Sequence, residues 1–142
     1  MKNTLKYKLM SSKACRPIRS TAGAAGFDLT VAWCEQLEED CIKYHSEVAF
    51  EIPEGYVGLL FPRSSIYKTA QTIANSVGVI DSDYRGEVSA VMYLNEPRAQ
   101  HYLVGDRFAQ LVIVPQPAFE LVECDELTPT ERGEGGYGST GI

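Results

Sequence analysis

The C-terminal segment of this sequence combines many glycines with one cation, one aromatic ring and several hydroxyl groups. Residues 132–142 read RGEGGYGSTGI, with Arg132 first, Tyr137 in the middle and Ser139 near the end. Glycines allow backbone N–H groups to converge on an anion, and arginine pairs with phosphate oxygens in a forked geometry. An aromatic ring stacks on a base. The segment therefore predicts a strap that closes over a phosphorylated nucleoside.

Two other interpretations fit part of this segment. Its composition is also typical of a disordered tail that binds nothing. A phosphate-binding Walker loop would need a lysine after its last glycine and a helix behind it, and the sequence provides neither after Gly138. A strap that binds a ligand needs the rest of the chain to present that ligand, so further binding residues are expected in the body of the protein.

The length and composition predict a single folded domain. A chain of 142 residues with 44% hydrophobic content can bury roughly two-thirds of its unfolded surface, enough to fold without a metal or a disulfide. We expect a domain over residues 1–127 and a tail over residues 128–142 that closes over the functional site. The net charge of −6 argues against a nucleic-acid polymer as partner. A small anionic ligand needs only a few local cations, together with a divalent metal.

The cysteines predict neither a zinc site nor a disulfide framework. They form no C-x-x-C pair, and the sequence has only 2 His to complete a metal site. We interpret all of them as reduced thiols: Cys15, Cys34, Cys41 and Cys124. Residues 1–10 contain lysines and no continuous apolar run, so we expect no signal peptide, no membrane span and a cytoplasmic location.

Short stretches rich in β-branched and aromatic residues predict an all-β fold. Turn signals separate most of them, and no long amphipathic helical pattern occurs. The predicted strands are Val48–Ile52, Tyr56–Phe61, Glu87–Leu94, Phe108–Val114 and Phe119–Val122. Many short strands with one short helical segment, Ser64–Thr72, indicate a sandwich, a jelly roll or a barrel.

Two segments of the body place polar groups beside small residues or a predicted helix. Asp28 follows a run of small residues and opens a predicted strand, although the cap of a tight turn explains it equally well. Arg63, Ser64 and Ser65 precede the helical segment, where unpaired N–H groups favour phosphate. Ser64 is also explained as a simple helix cap.

Two further segments carry candidate binding residues along strands. Residues 75–86 contain an apolar run that ends in Asp81, followed by Tyr84 and another strand, which predicts a β-hairpin. Such a hairpin could offer backbone donors and acceptors to a base, with Tyr84 against a sugar. Residues 105–111 alternate along a strand, and Gln110 in this segment is also explained as a satisfied polar group on a sheet face.

Together these segments resemble, in the same order, the five motifs of the trimeric deoxyuridine triphosphatases (dUTPases). The matching segments are AGFDL at 25–29, PRSS at 62–65, GVIDSDYRG at 78–86, GDRFAQL at 105–111 and RGEGGYGSTG at 132–141. The resemblance implies a jelly-roll protomer of the β-clip type and a homotrimer whose active sites are shared between chains. It also implies Mg²⁺-dependent hydrolysis of dUTP to dUMP and pyrophosphate, which limits uracil incorporation into DNA and supplies dUMP for thymidylate synthesis.

The resemblance assigns roles to two residues of the third motif. Asp81 matches the aspartate that holds and activates the water attacking the α-phosphorus and that also contacts the sugar 3′-hydroxyl. Tyr84 matches the tyrosine beneath the deoxyribose, where a 2′-hydroxyl does not fit. Phosphoryl transfer depends mainly on positioning and charge neutralisation, which suits a site without a Cys or His nucleophile.

The remaining matches concern substrate and metal. Asp28 matches a carboxylate that acts on Mg²⁺ through water, and Tyr137 matches the stacking ring of the tail. Residues at uracil-binding positions are Asn75, Gly78, Val79 and Ile80. Residues at phosphate-binding positions are Arg63, Ser64, Ser65, Gln110, Arg132, Gly138 and Ser139.

The sequence departs from the family pattern at two residues, and two alternative functions are considered. Ser65 stands where Gly is usual, at a position where the family makes a backbone contact to phosphate, and Tyr137 stands where Phe is commoner. A dCTP deaminase shares the fold, but no carboxylate in a matching motif supplies the acid or base that it needs beside the nucleobase. A nucleotide-gated regulatory protein on the same scaffold is the second alternative, although Asp81 and the complete tail favour turnover.

Overall fold

The computed structural model describes residues 4–138 and contains two antiparallel β-sheets with a shared core. The elements in chain order are β1 Lys6–Leu9, β2 Phe27–Thr30, β3 Trp33–Glu38, β4 Cys41–Glu51, β5 Tyr56–Pro62, a 3₁₀ helix Ser64–Lys68, β6 Gln71–Ile73, β7 Gly78–Ile80, β8 Glu87–Leu94 and β9 Arg107–Pro115. No helix in this described range is long and apolar enough to cross a membrane.

The strand order interleaves distant parts of the chain. The first sheet runs β1-β4-β8-β6, and the second runs β2-β9-β5-β7. The long strand β4 pairs with β8 along one edge, while its other edge pairs first with β3 and then with β1. Two antiparallel sheets with this order form a jelly roll, which confirms the all-β prediction.

The core lies between the sheets and draws large side chains from both. Tyr44 of β4, Met92 of β8 and Phe108 of β9 are fully buried. The ring of Tyr44 meets Tyr102 edge-on at 5.3 Å and Phe108 at 5.8 Å between centroids. The backbone N–H of Tyr102 donates a hydrogen bond to Tyr44 Oη at 3.2 Å. The loop before β9, which borders the candidate site, is thereby fixed to the core.

Most strand predictions agree with the structure. The stretches Tyr56–Phe61, Glu87–Leu94 and Phe108–Val114 coincide with β5, β8 and β9 to within one residue at each end. The stretch Val48–Ile52 covers the last part of β4 and one residue beyond it, and Asp28 lies in β2 as expected.

Two element predictions are wrong. Residues 119–122 form no strand, because no described strand lies beside them to pair, and the side chains of Phe119 and Leu121 are 84% and 98% exposed. The predicted helix Ser64–Thr72 is only a 3₁₀ helix that ends at Lys68. Ala70 then takes a positive φ of 51°, and the chain turns into β6.

The predicted hairpin around Asp81 is also wrong. β7 pairs with β5 in one sheet, whereas β8 pairs with β4 and β6 in the other. Residues 81–86 therefore cross from one sheet to the other. The sequence pattern identified both strands correctly, but adjacency along the chain does not decide pairing in a two-sheet fold, where each strand joins the sheet that buries its apolar face.

Candidate active site

Three adjacent strands bring a first group of predicted residues together. Asp28 of β2 lies directly opposite Gln110 of β9, and Gln110 lies opposite Phe61 of β5. Arg63 follows Phe61 by two positions, and side chains two positions apart share a face of an extended chain. The register of the second sheet therefore assembles parts of the first, second and fourth motifs at one end of β5.

Asp28 is the buried centre of this group. Its side chain is 9% exposed, and its Oδ1 accepts a hydrogen bond from Arg63 Nε at 3.0 Å. Its Oδ2 accepts from Arg107 Nη1 at 3.0 Å and from Ser20 Oγ at 3.1 Å. Two guanidinium groups thus face one carboxylate, and the cluster keeps one excess positive charge. Asp28 holds both cations in place beside the space where an anion would bind.

Gln110 is positioned by close backbone contacts. Its Nε2 donates to the carbonyl oxygen of Pro62 at 3.1 Å. A Cβ added to Gly26 would lie 2.6 Å from Gln110 Oε1, so a side chain at that position would displace the amide. The glycine of the first motif therefore serves Gln110 as well as the turn before β2.

A cavity of about 430 Å³ opens beside the Asp28 cluster. Arg63, Ser65, Lys68 and Arg107 are among its lining residues, whereas Ser64 lies outside this lining and is exposed. Tyr102 also borders the cavity, and burial raises the pKa of its hydroxyl group, so the ring enters the lining as a neutral group. Its mixture of cations and hydroxyl groups suits phosphate oxygens.

The predicted uracil-binding residues lie on an edge strand. β7 is the last strand of its sheet, so the peptide groups of Gly78–Ile80 on the side away from β5 face outward. Asn75 is exposed in the turn before β7, where Ser76 takes a positive φ of 61°. A Cβ added to Gly78 would lie 3.7 Å from Asn75 Nδ2, so the Asn75 amide lies close to the β7 backbone.

Asp81 and Tyr84 lie in the segment that crosses between the sheets. Asp81 is exposed and lines a groove of about 850 Å³ together with Val79 and Arg85. The backbone N–H of Tyr84 donates to the carbonyl oxygen of Asp81 at 3.2 Å, and Tyr84 Oη donates to the carbonyl oxygen of Glu87 at 3.0 Å. The carboxylate and the ring therefore occupy one ordered turn.

Within one chain, the Asp28 cluster with Arg63 lies far from Asp81 and Tyr84. Ile80 lies opposite Gly58 of β5, which places Asp81 beside Val57, six residues before Arg63. At about 3.3 Å per residue, their α-carbons are roughly 20 Å apart. An attacking water on Asp81 and phosphate oxygens on Arg63 cannot belong to one bond-breaking event at that distance.

The described part of the tail makes only local hydrogen bonds. Arg132 Nε donates to the carbonyl oxygen of Gly135 at 2.8 Å, and the ring of Tyr137 is fully exposed. Tyr137 and Gly138 both have positive φ, of 50° and 84°. Ser139 lies outside the described residues.

A family model described as dUTPase matches residues 12–141. The chain belongs to the dUTPase family. A deoxyuridine 5′-triphosphate nucleotidohydrolase of Nautilia profundicola is 40% identical to it over 96% of this chain and 98% of the relative. The mitochondrial deoxyuridine 5′-triphosphate nucleotidohydrolase of Dictyostelium discoideum is 39% identical over 98% of this chain and 78% of the relative.

Solved structures of phage dUTPases also resemble the chain. A variant of the Staphylococcus bacteriophage 80alpha dUTPase with dUpNHpp has a TM-score of 0.86 and 31% identity, covering 99% of this chain and 100% of that one. A variant of the dUTPase from phage phi11 of S. aureus, whose structure describes a structural Mg(II) ion, has a TM-score of 0.75 and 31% identity, covering 87% and 98%. The family and the jelly-roll fold predicted from the motifs are confirmed.

Three residues that were not among the predicted site residues contact members of that set. Arg107 and Ser20 bind Asp28, and Gly26 makes room for Gln110. The alternation in the fourth motif places Arg107 on the face opposite buried Phe108, a signal that could have identified the arginine as a site residue. Nothing in the sequence around Ser20 indicates its contact.

Proposed function

We propose that this protein hydrolyses dUTP to dUMP and pyrophosphate. The observation that carries the proposal is the outward edge of β7, which offers peptide groups to a base and is followed at once by the exposed carboxylate of Asp81. In a dUTPase chain, this places base recognition and a general base next to each other along the sequence. Relatives that carry the name deoxyuridine 5′-triphosphate nucleotidohydrolase over nearly their whole length support the same activity.

Fixed peptide groups at the β7 edge can discriminate between uracil and cytosine. Uracil presents an acceptor oxygen at position 4 and a donor N–H at position 3, and cytosine presents the opposite pattern. Peptide groups of Gly78–Ile80 are fixed by pairing with β5 and cannot exchange donors for acceptors. A site built from such groups strongly rejects a base that leaves them unpaired. Asn75 supplies a further amide at the same edge.

Asp81 acts as the general base of the reaction. It takes a proton from a water molecule whose oxygen forms a bond to the α-phosphorus, and it contacts the sugar 3′-hydroxyl. The bond from the α-phosphorus to the oxygen bridging to the β-phosphorus breaks, and pyrophosphate leaves. Positively charged Arg63 and Arg107, which line the same cavity, stabilise the charge that develops on the phosphate oxygens. Ser65, which lines the same cavity, adds a phosphate contact, and the motif match assigns the same role to Gln110 and Ser64.

The residues present fit a magnesium ion held mainly by the substrate. Both oxygens of Asp28 already accept hydrogen bonds from guanidinium groups, and the described residues contain no group of three or more His, Cys, Asp or Glu that could hold a metal. Mg²⁺ keeps several waters and often binds through substrate phosphates. Asp28 would therefore act on it through water, and the bound ion would neutralise charge on the triphosphate.

We also propose that the active protein is a homotrimer with shared sites. The roughly 20 Å between Asp81 and Arg63 supports it, because another chain must bring the missing half. Exposed apolar side chains after β9 offer a surface for such contacts: Phe119, Leu121 and Val122. The tail completes each site through Arg132, Gly138 and Ser139 on phosphate, with Tyr137 stacked on the base.

Incubating the purified protein with dUTP, UTP and dCTP tests the activity directly. We expect Mg²⁺-dependent release of pyrophosphate from dUTP, much slower release from UTP, and no ammonia from dCTP. Ammonia from dCTP would favour the deaminase alternative. A lack of pyrophosphate from dUTP with nucleotide binding intact would favour a regulatory protein on this scaffold.

A further inference from the structure

The aromatic ring of Tyr84 lies directly against the backbone of Gly86. A Cβ built on Gly86 would be 2.5 Å from Tyr84 Cζ and 2.9 Å from Cε2, and closer still to the hydroxyl oxygen. These distances are shorter than any stable contact between carbon atoms. The ring can occupy this position only because residue 86 has no side chain.

The hydroxyl group of Tyr84 is held at the far side of the same glycine. Tyr84 Oη donates to the carbonyl oxygen of Glu87 at 3.0 Å. The Glu87 carboxylate in turn accepts a hydrogen bond from the backbone N–H of Glu47 at 2.7 Å and contacts His45 Nδ1 at 2.8 Å. The acceptor of the Tyr84 hydroxyl is thereby fixed to β4, and the ring spans Gly86 between two fixed points.

The backbone around the ring is fixed separately. Arg85 Nη1 donates to the carbonyl oxygens of Ser82 at 2.7 Å and Tyr84 at 2.9 Å. The φ of Gly86 lies outside the left-handed region, so alanine is compatible with the backbone there. Tyr84 is 45% exposed, so its ring can swing away at little cost to folding. An added methyl group would therefore displace the ring and leave the turn in place.

We infer that Gly86 is a positioning residue that sets discrimination between deoxyribose and ribose, because it lets the Tyr84 ring lie flat as a rigid wall. This inference rests on the proposed function, in which that ring packs beneath the deoxyribose. With a side chain at position 86, the Tyr84 hydroxyl loses its hydrogen bond to the Glu87 carbonyl oxygen, and the ring no longer forms a fixed wall against a 2′-hydroxyl.

The experiment compares Gly86→Ala with the wild-type protein in two assays. One measures kcat/KM for UTP relative to dUTP. The other measures, by calorimetry, binding of dUpNHpp relative to its ribose counterpart, in which NH also replaces the oxygen between the α- and β-phosphates. A steric wall disfavours a substrate with an added hydroxyl by about 10². We expect Gly86→Ala to raise both ratios of ribose to deoxyribose nucleotide by about tenfold. Gly23→Ala is the matched control, since nothing lies within 4 Å of a Cβ there.

A double substitution shows whether Gly86 acts through Tyr84. Tyr84→Ala removes the ring, so Tyr84→Ala with Gly86→Ala should show the same UTP-to-dUTP ratio as Tyr84→Ala alone. Additive effects would overturn the inference. Tyr84→Phe loses only the hydrogen bond to the Glu87 carbonyl. Its ratio should lie between those of the wild type and Tyr84→Ala, which tests the fixed ring even if Gly86→Ala folds poorly, and a ratio equal to that of the wild type would contradict the inference.

The structure of Gly86→Ala supplies a readout that does not depend on turnover. We expect the Tyr84 ring to move while Asp81 and the β7 backbone stay in place. An unmoved ring, or a moved ring with unchanged binding ratios, would overturn the inference. A wild-type protein that binds dUpNHpp but releases no pyrophosphate from dUTP would overturn the proposed function alone, and the binding ratios would still decide the role of Gly86.

Discussion

Asp81 is the residue on which the proposed chemistry depends most directly. Replacing it with Asn keeps the size of the side chain and removes its ability to take a proton. We expect Asp81→Asn to lower kcat by about 10² to 10⁴, with the affinity for dUpNHpp within a small factor of the wild type. Steady-state pyrophosphate release and calorimetry measure the two quantities.

Asp83→Asn is the control for that substitution, because Asp83 is exposed two positions away in the same crossing segment. Its turnover should stay close to that of the wild type. If Asp81→Asn also turned over dUTP at a near-normal rate, the general base would have to be another group.

Single residues were predictable to different degrees. The motif pattern identified Asp28, and the structure shows why a carboxylate is needed there, since it binds two arginines. The contact between Asp28 and Arg107 was harder to predict, because Arg107 is 79 positions away along the chain. The alternation in β9 puts Arg107 on the face opposite Phe108, but only the register of β2 on β9 determines that Arg107 meets Asp28.

The tail is the element whose role the described contacts support least. Its local hydrogen bonds would suit both a strap awaiting its ligand and a tail without function. We expect deletion of residues 132–142 to leave a folded oligomer with weaker nucleotide binding and poor turnover. Loss of stacking by Tyr137 should account for about 1–3 kcal/mol of this, and loss of Arg132 for additional transition-state stabilisation.

Circular dichroism and mass measurements on the truncated protein would verify its fold and assembly before kcat/KM is compared. Tyr137→Phe serves as the matched point variant, since it keeps the ring and should retain activity. Equal catalytic efficiency with and without the tail would favour the disordered-tail interpretation.

Strands were predicted well where buried and more exposed positions alternate along the sequence. β8 alternates between buried and more exposed positions, and its predicted bounds match the structure. β1 and β3 escaped prediction because all their residues are exposed at sheet edges, where burial imposes no alternation. The apolar run at 119–122 gave a false strand for the opposite reason, since its side chains are exposed and have no described partner strand.

The assembly of the whole molecule decides whether the proposed sites exist at all. Asp81→Asn protein and protein lacking residues 132–142 should each be nearly inactive. After joint unfolding and refolding, mixed trimers would contain some sites with an intact Asp81 from one chain and an intact tail from another. We expect their activity to exceed the sum of the two parents.

The contrary result is equally informative. If each site were built within one chain, every site would keep one lesion, and mixing would restore nothing. Absence of recovery, with mixed trimers verified by mass, would refute shared sites without touching the family assignment. Two batches of Asp81→Asn protein refolded together control for changes caused by refolding itself.

The crossing segment 81–86 limits how this protein can diverge. Ile80 is paired with Gly58 on one side, and Ser89 is paired with His45 on the other, so both ends are held in register. One extra residue between them would either bulge out beneath the sugar or slide β8 by one position. A slide would turn Val88 and its buried neighbours toward solvent. Although most of this segment is exposed, it should therefore tolerate neither insertions nor deletions. A new substrate specificity would have to arise by substitution within it.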